Sequence, residues 1–200
     1  MTPRTVDRTA RRAELVSAAS RVFAERGVAN TTVSDIVRSA GVAQGTFYLY
    51  FESKQDMVLA VVHRIGDDLL AGIESAVSAS GTTAVEKLLG LRDVLVSFDE
   101  DPEALELAAF MHRPENQAVH ARLAENLTPR LIPLVESIVK QGVSEGVFDV
   151  PDAHSAAWFV LAGLQSAELS GTPATDMPAA IAAATQLALR TLGCSEDVAS

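Results

Sequence analysis

Apolar side chains recur at helical spacing along nearly the whole chain. Leu15, Ala18, Ala19, Val22 and Phe23 fall at i, i+3, i+4, i+7 and i+8, one face of an amphipathic helix that Gly27 closes. Thr32 caps a second helix, with Asp35 three residues on as a near capping box and Val33, Ile36, Val37 and Ala40 as its inner stripe. Gly41 stops it, and a short third helix spans roughly residues 43–50. Ser53 caps a longer fourth, which repeats Val58, Val61, Val62, Ile65, Leu69 and Ile73.

Beyond a loop at residues 78–83, Val85, Leu88, Leu89, Leu95 and Phe98 mark a fifth helix. Asp101-Pro102-Glu103 starts a sixth with an N-cap, a first-position proline and an acid in the first turn; it ends near Met111. A helical pattern then runs from about Glu115 to Lys140. Pro129 and Pro133 are expected to kink or break it, because an interior proline costs about 3 kcal/mol. Residues 142–152 read as a turn-rich connector, 153–169 as an eighth helix, 170–176 as a loop, and 177–192 as a last helix closed by Gly193. No tandem repeat and no period-two strand stands out. The pattern predicts an all-α chain of about nine helices.

Composition fits that pattern. Hydrophobic residues make up 48% of the chain and aromatics 5%, so the core is mostly Ala, Val and Leu, which suits helices. No apolar run reaches the roughly 18 residues of a membrane span, and the polar, basic first residues do not read as a secretory signal. One cysteine, Cys194, cannot form an internal disulfide. A cytoplasmic protein without membrane contact is expected.

A net charge of -10 argues at first against a nucleic-acid partner, but its distribution reverses that reading. Residues 1–55 hold eight basic and five acidic side chains, leaving 8 and 21 for the rest. A basic head on an acidic body suits nucleic acid held at one end.

Residues 32–51 read TVSDIVRSAGVAQGTFYLYF: two short helices joined by a tight glycine-containing turn, a helix-turn-helix. At 100° steps Phe47 and Phe51 point inward together. Gly45, Thr46, Tyr48 and Leu49 fall on the outward arc, with Gln44 at the exposed N-terminal end. That surface is odd for solvent and suited to a DNA groove: Gln bonds a base edge, Leu meets a thymine methyl, and Gly lets the backbone approach. A buried aromatic cluster is the competing reading. Lys54, in the first turn of helix four, is favourably placed if a phosphate sits at that helix start. Thr32 and Tyr50 stand at the two ends of the motif, also placed for phosphate contact.

The stretch from Glu14 to Val62 resembles the DNA-binding domain of the tetracycline-repressor (TetR) family. The shared residues are Ala19 with FAERG (23–27), TTVSDIV (31–37), AGVAQGTFYLYF (40–51) and ESKQDM (52–57). Leu49 departs from the polar or aromatic residue the family often carries there. The resemblance implies a DNA-binding domain at 1–55, with Thr32, Ala43, Gln44, Gly45, Thr46, Tyr48, Leu49, Tyr50 and Lys54 facing a double-stranded operator. It implies a regulatory domain at 56–200 for effector binding and dimerisation.

In the family, helices eight and nine pair with their mates in a four-helix bundle. The residues support this: Ala156, Ala162 and Gly163 allow close approach, and helix nine is apolar on more than one side through Ile181, Ala184 and Leu187. A well-buried terminal helix in a monomer is the alternative. The family usually lines its effector cavity from helices six and seven. Apolar candidates here are Phe98, Leu107, Phe110, Met111, Leu131, Leu134, Val135 and Trp158, with His112, Arg113 and Gln165 as polar anchors, which points to a small hydrophobic or aromatic effector.

Catalytic chemistry finds no foothold. His63, His112, His120 and His154 show no metal-binding spacing, and there is no CxxC, phosphate-cradling glycine loop or serine elbow. The reading is a non-enzymatic repressor without cofactor or metal. Its alternatives are a DNA-binding regulator under a protein partner's control, and a helical enzyme or transport-associated protein with a chance motif.

Overall fold

The computed structural model describes residues 8–111, 113–169 and 176–194, and among these it is all-helical, with nine α-helices and no strand. They are α1 (Arg8–Arg26), α2 (Val33–Ala40), α3 (Gln44–Tyr48), α4 (Lys54–Val77), α5 (Ala84–Asp99), α6 (Pro102–Met111), α7 (Gln117–Glu145), α8 (Ala153–Leu169) and α9 (Met177–Thr191). A 3-10 turn, Pro114–Asn116, leads into α7. None of the described helices is long and apolar enough to cross a membrane.

Local chemistry sets the helix ends. The Thr32 hydroxyl accepts from the Asp35 amide while the Asp35 carboxylate accepts from the Thr32 amide, a complete capping box for α2. Thr83 and Glu86 repeat the device at α5. Gly27, Gly41 and Gly193 close α1, α2 and α9 at φ values of 80°, 67° and 83°, the left-handed region that a side chain disfavours.

The described residues divide into two compact units, 1–66 with 101–123, and 67–100 with 124–200. This division does not follow a boundary at residue 55. α6 folds with the N-terminal helices because its acids bond into them. Glu103 Oε2 accepts from Ser20 Oγ at 2.5 Å and from Arg64 Nη2 at 2.6 Å. Glu106 Oε1 accepts from the Val28 amide at 3.0 Å, just past the end of α1. Leu15, Ala18, Ala19, Val22 and Phe23 form the buried face of α1, as their spacing predicts. On α4, Leu70 is buried and the expected Leu69 only half-buried.

In the second unit, α9 packs against α5 and α8. Val135, Ile138, Val139 and Leu189 are fully enclosed. The Glu145 carboxylate accepts from the Ala84 amide at 2.9 Å, tying the end of α7 to the start of α5. The Phe148 ring lies so close to Gly142 that a Cβ there would collide with it.

Two expectations are corrected. α7 runs as one helix through Pro129 and Pro133, so the expected break does not occur. Spaced four apart, both prolines sit on one exposed face, where the carbonyls they leave unbonded can turn to water. The helix also runs on to Glu145, so residues 142–145 are helical and not part of the connector; Gly146, at φ 72°, makes the turn. The predicted loop at 170–176 lies outside the described residues except for Asp176, the N-cap of α9.

Candidate nucleic-acid interface

A five-residue helix has no stability of its own. α3 is held by its aromatic side chains: Phe47 and Phe51 are 0% and 1% exposed, with ring centroids 5.5 Å apart. The Arg12 guanidinium lies over the Phe51 ring at 4.9 Å, and the Arg8 guanidinium 5.9 Å from the centre of the Tyr50 ring. Arg8 also donates to the Leu49 carbonyl at 3.4 Å, placing a cation at the C-terminal end of α3 where the helix dipole favours it.

With its inner face thus anchored, α3 turns the rest of its surface outward. Tyr48 is 56% exposed and Leu49 68%, and Ala43, Gln44 and Gly45 lie beside them. Ala43, Gln44 and Gly45 are exposed, whereas Thr46 and Tyr50 are half-buried. A Cβ on Gly45 would meet nothing within 4 Å, so the fold itself does not demand a glycine there. The helix is shorter than expected, with Leu49 as its C-cap and Tyr50 beyond it.

Thr32 is exposed at the N-cap of α2, but its hydroxyl donates to Asp35 Oδ2 at 2.6 Å. Asp35 is held below the usual carboxylate range, first by the Thr32 side chain and then by the Thr32 amide. Lys54 is half-buried, and its ammonium donates to the Ala29 carbonyl at 3.3 Å. Burial lowers its pKa from the ordinary lysine value. Arg8 and Arg12, which lie against the Tyr50 and Phe51 rings, were not singled out in the sequence; their i, i+4 spacing on α1 is the signal that finds them.

The residues proposed as effector lining lie in different surroundings. Leu107, Leu131 and Val135 are core, at 1%, 6% and 0% exposure. Trp158 is 48% exposed and donates through Nε1 to His154 Nε2 at 3.2 Å, so it faces solvent and does not line a closed wall. Arg113 is also exposed, and the side chain of His112 lies outside what the structure describes. Phe110, Met111, Leu134 and Gln165 are not part of the closed core, and Met111, Leu134 and Gln165 are half-buried. Among the residues expected at a dimer interface, Ile181 is 2% exposed in the single chain and so belongs to the protomer's own core. Ala156 and Gly163 are half-buried, and Ala162 and Leu187 exposed. Among the described residues, no cluster of three or more His, Cys, Asp or Glu side chains could hold a metal ion.

Two short helices around Gly41, the second anchored by buried rings and presenting tyrosine and leucine to solvent, form a helix-turn-helix, the element that defines a class of DNA-binding proteins. Residues 15–61 match the family described as bacterial regulatory proteins of the tetR family. The HTH-type transcriptional repressor KstR2 of Rhodococcus jostii (strain RHA1) is 32% identical over 155 residues, 74% of this chain and 74% of its own. The solved structure of SmeT, the repressor of the Stenotrophomonas maltophilia multidrug efflux pump SmeDEF, has the same fold. Its TM-score is 0.69 at 20% identity, over 94% of this chain and 92% of that one. Bacillus subtilis FadR, solved in complex with stearoyl-CoA, gives 0.64 at 22% identity, over 88% and 97%. The chain belongs to the TetR family of transcription regulators.

Proposed function

We propose that this regulator is a repressor that binds a pseudo-palindromic operator as a homodimer and is released by a small apolar effector. The observation that carries the DNA-reading part is the outward pair Tyr48 and Leu49 beside open space at Gly45. Large apolar side chains left in water next to an unfilled backbone position make sense as contacts to base edges and thymine methyls, with Gln44 and Thr46 supplying hydrogen bonds. Lys54, Thr32 and Tyr50 flank them toward the phosphates.

The pairing surface is the outer side of α8 and α9. Phe159 and Leu187 are each 62% exposed there, and Trp158 adds a half-exposed ring. Such a face marks an interaction surface. Ala162 and Gly163 keep it low enough for a second helix pair to approach. A two-fold dimer sets two recognition helices about 34–36 Å apart, one turn of DNA, and so calls for a pseudo-palindromic site.

Effector response draws on half-buried side chains of the second unit, with Leu134 as an apolar wall and Gln165 as a polar anchor. SmeT has been solved in complex with triclosan, which supports a small-molecule effector here. The effector acts by binding more tightly to a conformation that fits the operator less well.

The test is fluorescence anisotropy on a duplex from the DNA upstream of the chain's own gene, beside a scrambled duplex. Sedimentation should give about twice the 21.1 kDa chain mass. Compounds that raise the melting temperature are then added to the binding assay. Preference for the upstream duplex, reversed by a stabilising apolar compound, is the expected result. Equal binding to both duplexes sinks the operator reading. Compounds that stabilise the fold but leave DNA affinity unchanged sink the effector reading.

A further inference from the structure

A single carboxylate, Asp35, gathers two arginines at the edge of the reading head. Its Oδ2 is committed to the capping box, accepting from the Thr32 amide at 3.0 Å and from the Thr32 hydroxyl. Its Oδ1 takes the Arg26 guanidinium at 3.1 Å, from the last residue of α1, and the Arg38 guanidinium at 3.4 Å, from one turn further along α2. The exposures run in opposite directions. The Asp35 side chain is only 16% exposed, while those of Arg26 and Arg38 are 53% and 74% exposed. The negative charge lies underneath, and the surface shows two cations.

Stability does not account for this arrangement. Solvent-exposed ion pairs contribute about 0–1 kcal/mol, and the cap of α2 is complete without them. Each guanidinium has five N–H donors in a planar fork, and the bond to Asp35 occupies only part of it. The rest of the fork is available to a second acceptor, in the segment 1–55 that holds eight of the chain's 16 basic side chains. A guanidinium already held by a carboxylate also loses less side-chain entropy on gripping a second oxyanion. Arginine forks match the geometry of phosphate oxygens.

We propose that Asp35 is a positioning residue for operator binding: it holds Arg26 and Arg38 out to the phosphates flanking the groove that α3 reads. These contacts are additional to those of Thr32, Tyr50 and Lys54, and they rest on the DNA-binding reading above. They are sequence-independent. They fix how deeply and at what angle the head sits, while Tyr48 and Leu49 read the bases.

The experiment measures affinity for the upstream duplex and a scrambled duplex from about 50 to 200 mM salt. Arg26→Gln and Arg38→Gln should each flatten the plot of log affinity against log salt by about 0.9 for every phosphate no longer neutralised, or about 1.8 for two subunits. Both duplexes should weaken by the same factor. Asp35→Asn separates positioning from simple charge. Removing a negative charge near DNA would on its own tighten binding; a positioning role requires binding to weaken and the slope to flatten. A purely structural defect lowers the active fraction and leaves the slope unchanged, and thermal melting followed by circular dichroism reports it directly. Unchanged slopes in the two arginine variants, or tighter binding by Asp35→Asn, overturn the proposal. If the unmodified protein binds neither duplex, the DNA-binding reading fails along with it.

Discussion

Truncating Tyr48 and Leu49 to alanine should abolish operator recognition while leaving the fold intact. Both side chains are more than half exposed, at 56% and 68%, so removing them takes little apolar surface out of the core. Exposed substitutions of this kind usually change stability by no more than about 0.5 kcal/mol. Each good base contact discriminates by about 1–3 kcal/mol, so its removal lowers affinity by about 5- to 150-fold, and a dimer suffers the effect twice. Phe47→Ala provides the contrast. That ring is 0% exposed, and emptying its site should cost about 3–5 kcal/mol, a large fraction of the roughly 5–15 kcal/mol of a typical domain. Anisotropy titrations on upstream and scrambled duplexes, paired with thermal melts, separate the two effects. Tyr48→Ala/Leu49→Ala should melt like the unmodified protein and bind both duplexes equally weakly, whereas Phe47→Ala should melt early. A double variant that keeps full affinity and still prefers the upstream duplex would refute the docking of α3.

Leu187→Glu, at a 62% exposed position on α9, should leave helicity unchanged and bring the sedimentation mass to that of a single chain. Gly142→Ala drives a Cβ into the Phe148 ring, so it should lower the melting temperature by several degrees, in line with the roughly 1–3 kcal/mol of an overpacked core. Glu86 is held below the usual glutamate range, first by the Thr83 amide and then by the Thr83 hydroxyl. Its capping contribution is therefore complete above the ordinary glutamate pKa and disappears as the pH falls through the lowered folded value. Melting temperature against pH should fall less steeply on that acid limb for Glu86→Gln than for the unmodified protein.

The short-range logic of this fold is written plainly in the chain. Thr32 with Asp35, Gly41, and Phe47 with Phe51 are signals within a few residues of one another, and each does in the structure what its chemistry dictates. What spacing cannot carry is which helix meets which. Glu103 and Glu106 read as ordinary first-turn and surface acids, yet they bond α6 to Ser20, Arg64 and Val28, partners 39 to 83 residues away. Ile181 and Leu187 look alike as apolar residues of a terminal helix, and only the packing of α9 on α5 and α8 separates a core residue from a surface one. Pro129 and Pro133 misled because the cost of an interior proline depends on which face it occupies, and sequence alone does not say that both face water.

The bond between Trp158 and His154 has an optical consequence. Trp158 is the chain's only tryptophan, and it sits on the side of α8 proposed to meet a second copy. Its emission therefore comes from one known place, next to Phe159 and a turn along from His154. In a separated protomer the half-exposed indole should emit toward the red, as a ring in contact with water does. Covering that face should move the emission to the blue. Dilution of the unlabelled protein, followed at this single wavelength shift, would then trace the association of the two subunits without any dye or added tag.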